Sequence, residues 1–173
     1  MKRRLMQVPA KVCGRRRAAY TPSPLKHAAW SLISSTLAIL AVYALARLTG
    51  HPLLIGSFGA SAVLLFGVTD SPLAQPRNLI GGHLVSAGVA VAMVALFGSG
   101  PLPAACAVGL AIMLMNLTRT NHPPGGATAL IGVQGGAGPA FILVPVLAGA
   151  LILLLIALFT NNIVYHRHYP HRW

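Results

Sequence analysis

A few polar side chains stand in an otherwise apolar chain, and their types set the chemistry open to it. They are His51, Arg77, Asn78, His83, Asn116, Arg119, Asn121 and His122. Polar and ionisable residues at membrane depth are rare and mark functional sites. No carboxylate is among them, since the single acidic residue of the chain is Asp70. A carboxylate pair for acid–base hydrolysis is therefore excluded. A hard-cation site, which wants several acidic oxygens, is disfavoured. An electropositive set of arginine, histidine and helix N-termini suits a small anion instead. A histidine side chain ordinarily titrates near physiological pH, so His122 could carry a proton, or it could cap a helix. Arg119 can neutralise an anion or reach to the lipid interface, and Arg77 can do the same at the start of its segment. His51, His83 and His122 could in principle hold zinc or copper, but they fall in different segments and match no metal spacing. No Ser-His-Asp set, phosphate loop or dinucleotide fingerprint occurs, so an enzyme is not expected and no cofactor is implied.

The densest of these positions lie in residues 118–132, Thr-Arg-Thr-Asn-His-Pro-Pro-Gly-Gly-Ala-Thr-Ala-Leu-Ile-Gly. An apolar segment stops at Leu117. Asn121 and His122 can cap a helix start. Pro123 and Pro124 cannot continue the preceding helix, and Pro124 suits the first turn of a new one. Gly125 and Gly126 carry no side chain, so a ligand can approach their N–H groups. The stretch reads as a helix that ends and a short helix that begins at membrane depth, its N-terminus offering free donors to an anion. An ordinary turn between two membrane helices is the plainer alternative.

This stretch, Asn121-His122-Pro123-Pro124-Gly125-Gly126-Ala127-Thr128, resembles the signature of the HPP family of integral membrane proteins. Ser71-Pro72-Leu73-Ala74-Gln75-Pro76-Arg77-Asn78, followed by Gly81-Gly82-His83, is similar to a second block of that family. The likeness runs from about Trp30 to Thr160. It implies four membrane spans and, from some photosynthetic members, nitrite transport. Longer members add nucleotide-sensing modules of the cystathionine-synthase type, which are not expected in this chain.

Composition agrees with a membrane protein. Hydrophobic residues make up 55% and charged residues 8% of the 173 residues, against about 25% charged in soluble domains. Of thirteen Lys and Arg, eight lie in residues 2–26. Residues 1–28 thus read as a largely disordered basic tail, held cytoplasmic by the positive-inside rule and suited to anionic lipid. A nucleic-acid-binding role for it is not expected. No secretory signal is evident, and an organelle transit peptide is the lesser reading of the start. The location implied is a bacterial inner membrane, multi-pass, with the N-terminus cytoplasmic. Cys13 and Cys106 make no disulfide framework.

The elements that must position the polar residues form an all-α, polytopic helix bundle in residues 29–160. Spans are expected over 29–48, 78–97, 104–117 and 141–160, with short Gly/Pro-broken segments over 51–68 and 122–136. Residues 161–173 form a basic, histidine-rich tail at the lipid headgroups. Gly82, Ser86 and Ala90 recur every four residues, a stripe that lets another helix approach closely. An internal repeat is also visible. Residues 47–52 line up with 118–123, which pairs His51 with His122, and 59–64 with 126–131, which pairs Ser61 with Thr128. If the short segments cross, each half has three passes and the halves are inverted. If they re-enter, each half has two and the halves are parallel. Six passes put Arg77, Arg119 and both tails on one side, which the positive-inside rule prefers. Paired interrupted segments in two halves are the sequence pointer to a transport site.

These observations favour a transporter or channel for a small inorganic anion, nitrite-like by the resemblance. Its expected site comprises Arg119, Asn121, His122, Pro123, Pro124, Gly125, Gly126 and Thr128, with His51, Ser61, Arg77 and Asn78. A homo-oligomer is expected from the small size. The alternative is a membrane interaction or scaffold protein in which the breaks only allow tight packing. An intramembrane enzyme ranks third.

Overall fold

The computed structural model describes residues 24–49, 56–165 and 167–173. Among them every regular element is helical. Four helices are long and apolar enough to cross a membrane: α1 (Leu25–Thr49), α3 (Pro76–Phe97), α4 (Pro101–Thr118) and the last, in which a π-helical stretch, Ile142–Leu147, leads into α6 (Ala148–Ile163). Two short elements alternate with them. α2 (Gly56–Ala62) continues as a π-helical turn, Val63–Gly67. α5 spans Pro124–Gln134. At a rise of about 1.5 Å per residue, neither exceeds ~18 Å, well short of the ~30 Å hydrocarbon core. The four spans and two short segments expected from the sequence are thus present.

Proline sets several of the boundaries. Pro76, Pro101 and Pro124 each open a helix, where their missing N–H is not needed. Pro145 acts differently. It lies within the last span and pushes Val144 out of helical geometry (φ −133°, ψ 117°), because proline crowds the residue before it. The regular helix therefore begins later than the 141–160 reading had it, and it runs on to Ile163.

Hydrogen bonds between chain segments fix the direction of every pass. Trp30 Nε1 donates to the Thr160 carbonyl at 2.9 Å. Arg167 donates to the His27 carbonyl at 2.7 Å and to the Phe66 carbonyl at 2.9 Å. Tyr169 Oη donates to the Ala74 carbonyl at 2.8 Å, and Arg77 to the Thr118 carbonyl at 3.1 Å. The start of α1, the exit of α2, the start of α3, the end of α4 and the end of α6 therefore share one face. At the opposite face the α3–α4 turn meets the exit of α5, since a Cβ on Gly136 would stand 3.6 Å from Ser99 Oγ. The described elements of the two halves, α1–α3 and α4–α6, run alternately up and down and in opposite senses. That order of directions favours the six-pass alternative over the re-entrant one. Among the described charged residues, Lys26, Asp70, Arg77, Arg119, Arg167 and Arg172 lie toward the first face, and Arg47 alone lies toward the other.

Single cysteines, in a chain freed of Cys13 and Cys106, test this directly. With a membrane-impermeant thiol reagent, Arg119→Cys and Arg172→Cys are expected to react from the same side and Arg47→Cys from the other. Arg47→Cys and Arg119→Cys reacting from one side would restore four crossings.

The small-residue stripe on α3 receives α5. A Cβ on Gly125 would come within 2.7 Å of Ser86 Oγ and 2.9 Å of the Gly82 carbonyl, and one on Gly132 within 2.6 Å of Ala90 Cβ. Gly82, Ser86 and Ala90 are all buried. Without a hydrophobic drive between helices in lipid, such backbone proximity supplies the packing. A second core, around Phe58, Leu65, Phe66, Leu79 and Leu153, joins α2 to α3 and α6.

The C-terminal residues pack onto the end of the bundle. Tyr169 is buried, and burial pushes its phenol above the ordinary range. The His171 N–H donates to Gln75 Oε1 at 2.8 Å. These last residues pack onto the bundle because Arg167 and Tyr169 find backbone carbonyls at the start of α1, the exit of α2 and the 3-10 turn Pro72–Ala74.

Candidate functional site

Where the two short helices and α3 meet, five polar side chains form one buried cluster. Ser57 and Ser61 come from α2, one turn apart. His83 comes from α3, His122 from the break before α5, and Thr128 from the second turn of α5. All five have no exposed surface. Ser61 Oγ lies 2.9 Å from His83 Nε2 and 2.9 Å from His122 Nε2. His83 Nδ1 lies 2.8 Å from Thr128 Oγ1, which in turn lies 2.8 Å from Ser57 Oγ. The two imidazoles stand 4.9 Å apart, and His83 also meets the Phe58 ring edge-on at 5.5 Å.

One partner gives the cluster a direction. His122 Nδ1 lies 2.9 Å from the Leu73 carbonyl. A carbonyl only accepts, so Nδ1 carries the hydrogen and, in the neutral ring, Nε2 is an acceptor. Ser61 must then donate to His122. It accepts in turn from His83 Nε2–H, whose Nδ1 accepts from Thr128. Every polar atom of the two rings is thereby satisfied with both imidazoles neutral, which is what burial at this depth requires.

The sequence pairing of Ser61 with Thr128 acquires a meaning here. The two hydroxyls, one from each inverted half, bind opposite nitrogens of the same imidazole. His83 therefore sits on the seam between the halves.

The break itself is held in place from α3. α4 stops at Arg119, which adopts the left-handed conformation (φ 58°) while the Thr120 N–H returns to the Met115 carbonyl at 2.9 Å, closing the helix as glycine commonly does. Asn78 Nδ2 donates to the Asn121 carbonyl at 2.7 Å, beside the Arg77 contact to Thr118. Arg77 and Asn78 thus secure the backbone of the break. Beneath them, Gly81 and Gly82 leave room for it, since a Cβ on either would come within 2.5 Å of Thr120 or His122 side-chain carbon.

The glycine donors differ from their expected role. The Gly125 N–H is bonded to the His122 carbonyl at 2.8 Å and the Gly126 N–H to the Pro123 carbonyl at 3.1 Å. The first turn of α5 closes on the break, so neither N–H is a free anion donor as the helix stands. Gly125 and Pro124 are buried, and Gly125 serves the close approach to α3. Arg119 is exposed, and its side chain lies outside the hydrogen-bonded cluster. His51 lies outside the described residues.

A cavity of ≈ 380 Å³ adjoins the cluster, lined by Asn116, Asn121, His122, Pro123 and Gly126 with apolar Val108, Ile112 and Met115. It reaches the break from the α4 side. Sequence reasoning named most of this lining, and it named Ser61 and Thr128. It left Ser57 unnamed and kept His83, though named among the polar residues, out of the expected site. The fourfold spacing of Ser57 and Ser61, with Ser61 paired to Thr128, was the available signal for both. Among the described residues no group of three or more His, Cys, Asp or Glu is placed to hold a metal ion.

Comparison with known proteins bears on this arrangement. A family model described as the HPP transmembrane region matches residues 20–170. Two transmembrane proteins of Dictyostelium discoideum are 48% and 47% identical over 161 residues, which is 86% of this chain and 56% and 52% of theirs. The chain spans about half the length of these curated relatives. No solved structure matches it.

Proposed function

This chain belongs to the HPP family of transmembrane proteins, and from that premise we propose that it moves a small inorganic anion, of the size and charge of nitrite, across the membrane. The observation that carries the reading is the convergence on Ser61, with one hydroxyl within 2.9 Å of both His83 Nε2 and His122 Nε2 at the meeting of two broken helices. Inverted halves that meet at interrupted helices near mid-depth are the arrangement alternating-access carriers use. The cavity at the break supplies an approach to His122, with Asn116 and Asn121 as polar lining. Arg119, exposed at the end of α4, attracts the anion and does not hold it. The cluster as described is closed, which corresponds to an occluded state. The charge distribution supports a cytoplasmic placement of the face bearing both described ends.

The test is anion flux into liposomes carrying the full chain, with nitrite, nitrate, formate, chloride and sulfate offered in turn. Flux of one small monovalent anion is expected, falling by roughly tenfold or more in a folded His122→Ala and less in Arg119→Ala. No flux of any anion from correctly inserted protein would support the scaffold reading, with the cluster serving only to join the two halves.

A further inference from the structure

We infer that His122, Ser61 and His83 form a relay for a single proton across the seam of the inverted halves, so that each anion carried is accompanied by one proton. The coupling to transport rests on the function proposed above; the relay itself rests on hydrogen-bond geometry.

In the neutral cluster the hydrogens run one way, from Thr128 through His83 and Ser61 to His122. A second set of acceptors lies within reach of the same hydroxyls. Ser61 Oγ is 3.1 Å from the Ser57 carbonyl, and Thr128 Oγ1 is 2.8 Å from Ser57 Oγ and 3.4 Å from the Pro124 carbonyl. A proton taken up at His83 Nδ1 makes that ring the imidazolium, and the Thr128 hydrogen turns from His83 to Ser57 or Pro124. The His83 Nε2–H bond then breaks as Ser61 Oγ–H forms, and the former Ser61 O–H bond breaks as His122 Nε2–H forms. One proton has been added, one positive charge has moved from His83 to His122, and no heavy atom has been displaced; the same steps in reverse carry it back.

What couples this to an anion is the lack of any other counter-charge among the described residues. Within them the pair is faced by Ser57, Phe58 and Ser61 from α2, Thr128 from α5 and the Leu73 carbonyl, none of them charged. Asp70 instead lines a separate cavity with His27, Arg167, His168 and His171. An imidazolium buried without a partner is strongly unfavourable. An arriving anion supplies the partner, so proton and anion are taken up together. The substrate class this selects is the conjugate base of a small weak acid.

Nitrogen-15 NMR of the histidines, on the full chain in lipid vesicles, reads the relay without reference to transport. His122 is expected with its hydrogen on Nδ1 and His83 on Nε2. With nitrite present on acidification, the pair should gain one proton shared between the rings. His122 hydrogen on Nε2 in the neutral state, or two protons gained together, would overturn the relay. In liposomes an inward acid gradient should drive nitrite accumulation with one proton per anion. Ser61→Ala should lose gradient-driven accumulation by roughly a hundredfold, and Ser61→Thr, which keeps the hydroxyl, should restore it. Anion flux with no accompanying proton overturns the relay and leaves the transporter reading intact. No flux at all overturns the transporter reading, and the NMR result alone then decides the relay.

Discussion

Replacing Gly82 by alanine is expected to dislodge the break and destabilise the folded chain by ~1–3 kcal/mol, the usual cost of overpacking. The new Cβ would lie 2.5 Å from His122 Cβ and 2.9 Å from the Thr120 carbonyl oxygen. A flexible side chain could swing away from such a contact, but the carbonyl belongs to backbone fixed by the Schellman-type closure of α4 and by the hydrogen bond from Asn78. Relief therefore requires α3 and the break to separate. That movement would lengthen the His122 contact to Ser61 and open the cluster. Gly88→Ala on the same helix is the control, because nothing stands within 4 Å of its Cβ. It should be neutral or stabilise by up to ~1 kcal/mol through helix propensity. Unfolding of both variants in mixed detergent micelles distinguishes them. Equal effects would show that the Gly82 contact carries no energy.

Arg167→Ala is expected to cost ~2–4 kcal/mol, since hydrogen bonds from a charged group contribute about 1.5–3 kcal/mol each and are not additive. The guanidinium donates to the Phe66 carbonyl at 2.9 Å, Asn161 Oδ1 at 3.0 Å, the His27 carbonyl at 2.7 Å and Ser31 Oγ at 2.8 Å. Asn161 Nδ2 adds a bond to the Leu65 carbonyl at 3.0 Å. The π turn that ends α2 leaves the Leu65 and Phe66 carbonyls without helical partners, with Ser31 Oγ sharing the Phe66 carbonyl at 2.6 Å, and in an apolar setting each unsatisfied group is costly. Arg167→Lys should rescue little, because a point charge cannot serve four acceptors in the plane of the fork. The measurement is the same unfolding midpoint, together with protease access to the C-terminus. A midpoint unchanged in Arg167→Ala would mean that water satisfies those carbonyls as well as Arg167 does.

Much of this architecture was legible in the sequence because membrane helices obey short-range rules. Twenty apolar residues announce a span, proline and glycine announce a break, and a fourfold recurrence of Gly82, Ser86 and Ala90 announces where a helix will lie close. Three arginines inclined the reading toward six passes. The site was legible only in part. Which hydroxyl meets which ring nitrogen depends on how α2 and α5 pack across α3, and no local pattern encodes that. His83 stood outside the expected site because its partners are twenty-two and forty-five residues away. Gly125 and Gly126 looked like anion donors because composition cannot reveal that their N–H groups turn back to the break. Arg167 looked like a headgroup anchor for the same reason, since its acceptors lie up to 140 residues upstream.

That last separation bears on how the protein is made. Synthesis is vectorial, and α2 reaches the bilayer when the arginine that completes its end has yet to be translated, 101 residues later. Short, rich in glycine and serine, and open at its last carbonyls, α2 is a poor membrane segment by itself. The first half therefore gains its hydrogen bonds from Arg167 only after the last span has been made.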